Sequence, residues 1–406
     1  MIGCKASRAV IASPPLPGGR GGAGGDHLAL SGAGFRVARL ILQDFRSYPA
    51  LDLALGRRVV ALSGENGAGK TNLIEALSLL APGRGLRRAE LADMVRAGAD
   101  RFAVSVALSG PGGEHRLGVG LEPAEPGARP ARAFRLDGAA VGSAGAFAEH
   151  ARVVWLTPDL DGLFRGSPGE RRRFLDRLVL AVDARHAGRV AALERALRSR
   201  NRLLEEGSAG RWLDAVEREL SEVAVAVAIA RRETVGRLDA ELLGAADDGS
   251  PFPFARLALE GEFETLAEGP AVEVEDRYRE ALRDGRARDA AAGRALLGPQ
   301  ATDLLVRHGP KDQPAALCST GEQKALLLRL VLAHARLVER MSGLPPLVLL
   351  DEVAAHLDPG RRLALFEALE GLGGQVWMTG ADPALFADLA GRADLIRITP
   401  GRAERA

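Results

Sequence analysis

The period of apolar positions changes several times along this chain, and each change predicts a new element. Phe35 to Leu55 reads as two strands around a turn at Phe45-Arg46-Ser47-Tyr48, with Val37, Leu40 and Leu42 suited to a half-buried edge strand. Arg58 to Ser63 is a short buried strand, and Asn72 to Ala81 is a helix with Leu73, Ile74, Leu77 and Leu80 on one face. Strand-like segments follow at Phe102–Leu108, Arg116–Leu121, Ala133–Leu136 and Val153–Leu156, with a hairpin signal at Asp137-Gly138. Together they predict an antiparallel subsheet inserted after that helix. From Pro168 to about Gly244 the period is helical, broken at Gly207-Ser208-Ala209-Gly210. This predicts a hairpin of two arms of about 35 residues each, reaching roughly 50 Å. A loop over 245–255, a strand at Arg256–Phe263 and a helix at Val274–Arg288 come next. Gly298-Pro299 then opens a return to the first part of the chain. Lys324 to Arg340 is a further helix, and Leu347-Val348-Leu349-Leu350 has the unbroken apolar character of a buried parallel strand. Strands alternating with helices predict an α/β fold.

Composition adds the ends and the environment. Residues 1–33 are rich in Gly, Ala, Pro and Ser without periodicity and are expected to be a disordered tail. The remainder divides into a first part over 34–157, a helical insert over 158–296 and a second part over 297–406. The net charge of +1 arises from 54 basic and 53 acidic residues, so local basic patches are compatible with near-neutrality. Cys4 and Cys318 are far apart, and seven scattered histidines show no zinc spacing, which fits a reducing cytoplasm. No run of 18 apolar residues suggests a membrane span.

The candidate chemistry begins at Gly64-Glu65-Asn66-Gly67-Ala68-Gly69-Lys70-Thr71, which fits G-x-x-x-x-G-K-[ST] between a strand and a helix. Glycines let successive backbone N–H groups face phosphate oxygens. Lys70 can reach the β- and γ-phosphates, and the Thr71 hydroxyl can ligate Mg²⁺. Only four of the 54 basic residues are lysines, so a lysine where the loop requires one is not a product of composition. Asp351 ends the apolar strand where it would hold the Mg²⁺ shell, and Glu352 is placed to polarise an attacking water. Ser319-Thr320-Gly321-Glu322-Gln323 precedes a helix and forms a second anion site, suited to the nucleotide of another subunit, while Asp358 can cross such an interface. Arg46 is either a solvated turn residue or a cation near the nucleotide. The arginines of Pro82–Arg88 are either a solvated loop or contacts to DNA phosphates. Arg171-Arg172-Arg173, in the first turn after Ser167-Pro168, oppose the helix dipole and suit either solvent or an anionic partner.

The order of these motifs resembles the ABC-type ATPase heads of the SMC and RecF group, with the RecF family nearest. Leu42-Gln43-Asp44-Phe45-Arg46-Ser47-Tyr48, the phosphate loop continuing through Ala76, and Gly166-Ser167-Pro168-Gly169-Glu170-Arg171-Arg172-Arg173-Phe174-Leu175-Asp176 carry the resemblance. Ser319–Gln323 is similar to the ABC signature, and Leu350-Asp351-Glu352 to the Walker B carboxylates. The resemblance implies an ABC-type P-loop head with an antiparallel subsheet and an inserted helical arm. It also implies ATP and Mg²⁺ as cofactors and a homodimer formed on ATP, with each nucleotide held between the loop of one head and Ser319 and Gly321 of the other. DNA is the implied ligand, with RecO, RecR and RecA as implied partners in repair at gaps. The sequence departs from the pattern at Gly380, where many ABC heads carry histidine, and in having no glutamine between Asn72 and Pro299. Gly298-Pro299-Gln300-Ala301-Thr302-Asp303 lacks the family's His and Arg. The first two departures imply slow hydrolysis. A transport ATPase subunit and a purely structural tether are the competing classes, and the long insert argues against the first and the short arms against the second.

Overall fold

The chain opens with a hairpin, β1 (Arg36–Phe45) and β2 (Tyr48–Ala54), followed by β3 (Val59–Ser63), the glycine-rich loop and helix α1 (Lys70–Ser78). The structure, a computed structural model, describes residues 34–110, 112–122, 131–208, 210–246 and 248–406, so the expected tail over 1–33 lies outside the described residues. A short α2 (Leu91–Met94) leads to β4 (Phe102–Gly110), β5 (Gly113–Glu122), β6 (Ala131–Leu136) and β7 (Ala139–Val141), and then to β8 (Val153–Leu156). Helices α3 (Pro168–Val182), α4 (His186–Glu205) and α5 (Gly210–Gly244) follow, then β9 (Ala255–Glu260), α6 (Glu262–Leu266), α7 (Ala271–Asp284) and α8 (Arg286–Ala292). The last stretch holds β10 (Asp303–His308), β11 (Gln313–Pro314), α9 (Thr320–Ser342), β12 (Leu347–Leu350), α10 (Pro359–Glu370), β13 (Val376–Gly380), β14 (Ala393–Thr399) and β15 (Arg402–Arg405).

Three sheets organise these elements. One is an antiparallel meander in the order β2-β1-β4-β5-β6-β7, and another, in the order β15-β14-β3-β13-β12-β8, is parallel apart from its edge strand β15. A small sheet runs β11-β10-β9. Two expectations are corrected here. Strand β1 is no edge: it pairs with both β2 and β4, and Val37, Leu40 and Leu42 are fully buried. Val153–Leu156 is not part of the antiparallel subsheet but pairs in parallel with β12. All four of its residues are buried, as a strand covered on both faces requires. The Asp137-Gly138 turn closes β6 onto β7 with both residues at positive φ, the backbone that suits a tight hairpin.

The helical hairpin also differs in detail. Its first arm is two helices, because α3 ends at Val182, the capping Asp183 is extended and α4 begins at His186, while the second is a continuous 35-residue helix of about 50 Å. Ser167 starts α3 through a capping box with Glu170, and Pro168 occupies the first helical position. The helix expected at Val274–Arg288 is likewise split at Gly285 into α7 and α8. The arm carries buried charge: Arg200, wholly buried, donates to Glu217 (2.9 Å), Asp289 (2.7 Å) and the Leu282 carbonyl (2.7 Å). At its base Asp176 accepts two bonds from Arg231 (2.8 and 2.9 Å) and faces His186 (2.9 Å), tying α3 to α5 and α4.

Candidate functional site

Strand β3 lies between β13 and β14, with every residue buried, and delivers the chain to the loop at the end of the parallel sheet. The loop's glycines are required by its shape. Gly64 (φ 153°) passes so near Ile398 that an added Cβ would lie 2.2 Å from its carbonyl oxygen. Gly69 (φ 111°) leaves room for a Cβ only 2.9 Å from the Ser47 and Tyr48 hydroxyls. Tyr48, fully buried, donates to the Gly69 carbonyl (3.2 Å), and burial pushes its phenol well above the ordinary range. Glu65, Asn66 and Gly67 form the exposed crest, while Ala68, Gly69 and Lys70 are buried. The Lys70 ammonium folds back over the crest and donates to the carbonyls of Gly64 (2.7 Å) and Glu65 (2.9 Å).

The acidic half comes from β12. Its backbone continues the pairing with β8, since the Asp351 N–H donates to the Leu156 carbonyl (2.8 Å). Asp351 Oδ1 accepts from the hydroxyls of Thr71 (3.1 Å) and Thr379 (2.6 Å), which joins the phosphate loop, β12 and β13 at one oxygen. Burial raises the Asp351 pKa, the two hydroxyls counter that, and neighbouring Glu352 adds to it. Glu352 has left-handed backbone (φ 53°), and its N–H donates to Thr379 Oγ1 (2.9 Å). Asp351 and Glu352 line a cleft with Thr157 and Lys324, where Lys324 pairs with Asp161 (2.7 Å). Sequence reasoning passed over Thr379; the signal for it was a hydroxyl at the end of the strand next to the acidic one.

Arg46 is placed beside α1. Its Nε and Nη2 donate to both oxygens of Glu75 (2.9 and 2.6 Å), a carboxylate with no exposed surface that requires a cation. Arg87 adds a third bond to Glu75 (3.2 Å) and one to Asn72 (2.9 Å), which in turn donates to Ser47 (2.9 Å). Arg46 and Arg87 are thus committed within the protein.

The second anion motif is a helix start. Ser319 caps α9 through a capping box with Glu322, whose carboxyl is pulled down to about 2 by Lys311 and by the Ser319 bonds. An added side chain at Gly321 would meet open space, whereas Gln323 is buried and donates to the Cys318 carbonyl (2.8 Å). Gln323 therefore holds the loop before α9 from within rather than facing a ligand. Asp358 caps α10 by accepting from the Arg361 N–H (2.9 Å) and stays exposed. Lys70, Thr71, Asp351 and Glu352 come together. Among the described residues, no hydrogen bond or ion pair joins them to Ser319, Gly321, Gln323 or Asp358.

A family model described as "AAA domain, putative AbiEii toxin, Type IV TA system" matches residues 59–379. The DNA replication and repair protein RecF of Mesorhizobium japonicum is 52% identical over 90% of this chain and 96% of its own length. The chain belongs to the RecF family. The RecF of Brucella abortus is 50% identical, over 93% of this chain and 98% of its own. A solved structure titled as the recombination mediator protein RecF-ATP in the RecFOR pathway superposes with a TM-score of 0.81 at 20% identity, covering 94% of this chain and all of that one. The fold is that of an ABC-type RecF and SMC head. No helix among the described residues is long and apolar enough to cross a membrane.

Two departures, from ABC heads at Gly380 and from the RecF pattern over 298–303, have structural counterparts. An added Cβ at Gly380 would lie 2.9 Å from the Phe386 ring, so Phe386 occupies the space a side chain there would need. The loop over 298–303 is bonded to α3 and α5: Arg231 donates to the Pro299 carbonyl (2.6 Å), Arg172 to that of Thr302 (3.0 Å), and Arg171 to both oxygens of Asp303 (2.8 and 2.7 Å).

Proposed function

We propose that this RecF family member is an ATP-dependent, DNA-binding recombination mediator. Two copies join on ATP, the joined pair holds DNA, and slow hydrolysis releases it. The observation that carries this reading is the split site. Lys70, Thr71, Asp351 and Glu352 assemble in one place, while Ser319 and Gly321 stand at an exposed helix start that shares no bond with them. A second copy supplies the missing half. Residues 34–157 and 297–406 make the ATPase head, and 158–296 the arm inserted in it.

The residues present fit ATP and Mg²⁺. Among the described residues Lys70 is a buried cation held only by the loop's own carbonyls, which phosphate oxygens can replace, and the backbone N–H groups of Lys70 and Thr71 open α1. Thr71 and Asp351 already meet, a hydroxyl and a carboxylate suited to a hard divalent ion. ATP supplies the phosphoanhydride whose cleavage drives release. Glu352 orients the attacking water, and the left-handed backbone at this residue sets its direction. Arg46 steadies α1 through Glu75. Asp358 and Ser319 contact the partner's nucleotide. The missing histidine at Gly380 and the missing glutamine make hydrolysis slow, a timer rather than a motor. Gapped DNA in the cytoplasmic nucleoid is the substrate, and RecO and RecR are the partners through which RecA is placed.

Binding of fluorescent duplex, single-stranded and gapped DNA, each with and without ATP, tests the reading. Lys70→Ala is expected to lose ATP-dependent dimerisation and DNA binding together. Tight ATP-dependent DNA binding by that variant would overturn the proposal.

A further inference from the structure

A groove of about 1020 Å³ runs between the loop that follows α1 and the helices α3 and α4. Six arginines and four carboxylates line it. Three of those carboxylates are already engaged: Asp176 by Arg231 and His186, Glu170 by the capping box of α3, and Glu194 by Arg198 (3.8 Å).

The arginines divide into two groups. Some half-buried arginines elsewhere in this chain are bonded to carboxylates, as Arg46 is to Glu75 and Arg171 to Asp303, and others to backbone carbonyls, as Arg58 is to Leu372 and Arg152 to Ala181. In the groove, Arg84, Arg172 and Arg231 are likewise committed to backbone or side-chain oxygens. Arg88, Arg173 and Arg177 are different: among the described residues none of their guanidinium groups has a hydrogen bond or an ion pair. Arg88 and Arg173 are exposed, and Arg88 stands on left-handed backbone (φ 53°). Arg177 lies 5.0 Å from the centroid of the Trp155 ring and 5.1 Å from that of Phe174. Asp159 attracts Arg177 without bonding it, and burial pulls its pKa down to about 10, which leaves it a cation at neutral pH. Trp155 Nε1 and Gln300 Oε1, two further polar atoms of residues lining the groove, are buried without partners. Water alone solvates Arg88 and Arg173 at the surface, ready for exchange with phosphate oxygens, while the buried Arg177 and the two unsatisfied atoms carry a cost that a ligand would offset.

We propose that this groove is the track for a DNA strand, gripped through its phosphates by Arg88, Arg173 and Arg177. This rests on the reading of the chain as a DNA-binding protein and assigns the surface. Arg177 already covers the Trp155 ring, so that face does not stack a base, and the grip is on the backbone and independent of sequence. The wall that carries Arg88 is also tied to the nucleotide site: the adjacent Arg87 bonds Asn72 and Glu75 of α1. A strand in the groove and a nucleotide at the loop therefore act on the same helix.

The test is DNA affinity as a function of salt, with ATP, for the full chain, for Arg88→Ala/Arg173→Ala and for Arg202→Ala. Arg202 is an exposed arginine of α4 that is paired with Glu206. The slope of log affinity against log salt is expected to fall by about two in the double variant, roughly one per arginine, and to stay unchanged in Arg202→Ala. ATP binding and ATP-dependent dimerisation are expected to be intact in both. Failure of the wild-type chain to bind DNA overturns the functional reading and the groove with it. Wild-type binding with an unchanged slope in the double variant, or with the same fall in Arg202→Ala, overturns the groove alone. Loss of ATP binding in the double variant with DNA affinity retained would mark the groove as part of the nucleotide site and overturn it too.

Discussion

At the scale of residues, the centre of the site is Asp351 Oδ1, where Thr71 and Thr379 converge. Burial raises the Asp351 pKa, so the native state holds its proton more tightly than the unfolded chain does. Stability is then lost as pH rises through the native pKa, because the charged form is the disfavoured one. At neutral pH Asp351→Asn is expected to raise the thermal midpoint of the ligand-free protein while removing Mg²⁺-dependent ATP binding. Calorimetry and nucleotide titration in the presence of Mg²⁺ check the two halves. A lowered midpoint would mean that the carboxylate is held for stability rather than for a metal. The pairing of loop and acid was legible in the sequence, because G-x-x-x-x-G-K-T and a buried strand ending in Asp-Glu each have few alternative uses. Arg46 and Gln323 were not legible to the same degree. Their partners, Glu75 and the Cys318 carbonyl, become neighbours only through the fold, and short motifs carry no information about which side of a helix start faces inward.

At the scale of elements, helix α9 runs from the Ser319 cap to its packing against α3. His334, fully buried in α9, lies 2.9 Å from the Leu178 carbonyl of α3, and burial pulls its pKa down to about 4. The unfolded chain binds a proton there near pH 6.5 and the native chain does not, so stability falls as pH drops from about 6.5 to 4. The loss across that window is on the order of 3 kcal/mol. His334→Gln is expected to flatten this acid limb, measured as the urea midpoint against pH; an equally steep limb in the variant would assign it to other groups. Element existence was well marked by periodicity, but pairing was not. Val153–Leu156 has the same apolar character whether it closes a meander or flanks β12. Only the parallel partner, nearly 200 residues away, decides between them. The break between α3 and α4 falls at Asp183-Ala184-Arg185, which hold neither Gly nor Pro, and the apolar spacing that stops at Val182 resumes at Val190, so the pattern read as one arm.

At the scale of the whole molecule, one chain carries the cluster of Lys70, Thr71, Asp351 and Glu352 and a separate capped helix start at Ser319, and the proposed function requires a second copy to unite them. Both motifs were legible in the sequence, Gly64–Thr71 and Ser319–Gln323 lying some 250 residues apart and each suited to an anion at a helix start. The groove along α3 was not readable, since 50 of the 54 basic residues are arginine and the sequence does not mark which are paired. The most direct measurement is the mass in solution by light scattering, with Mg²⁺ and ATP, of the wild-type chain, Lys70→Ala and Glu352→Gln. Glu352→Gln is expected to accumulate at twice the monomer mass, wild type to pass through that state as ATP is consumed, and Lys70→Ala to remain monomeric. A Glu352→Gln sample that stays monomeric with saturating ATP would contradict the split site.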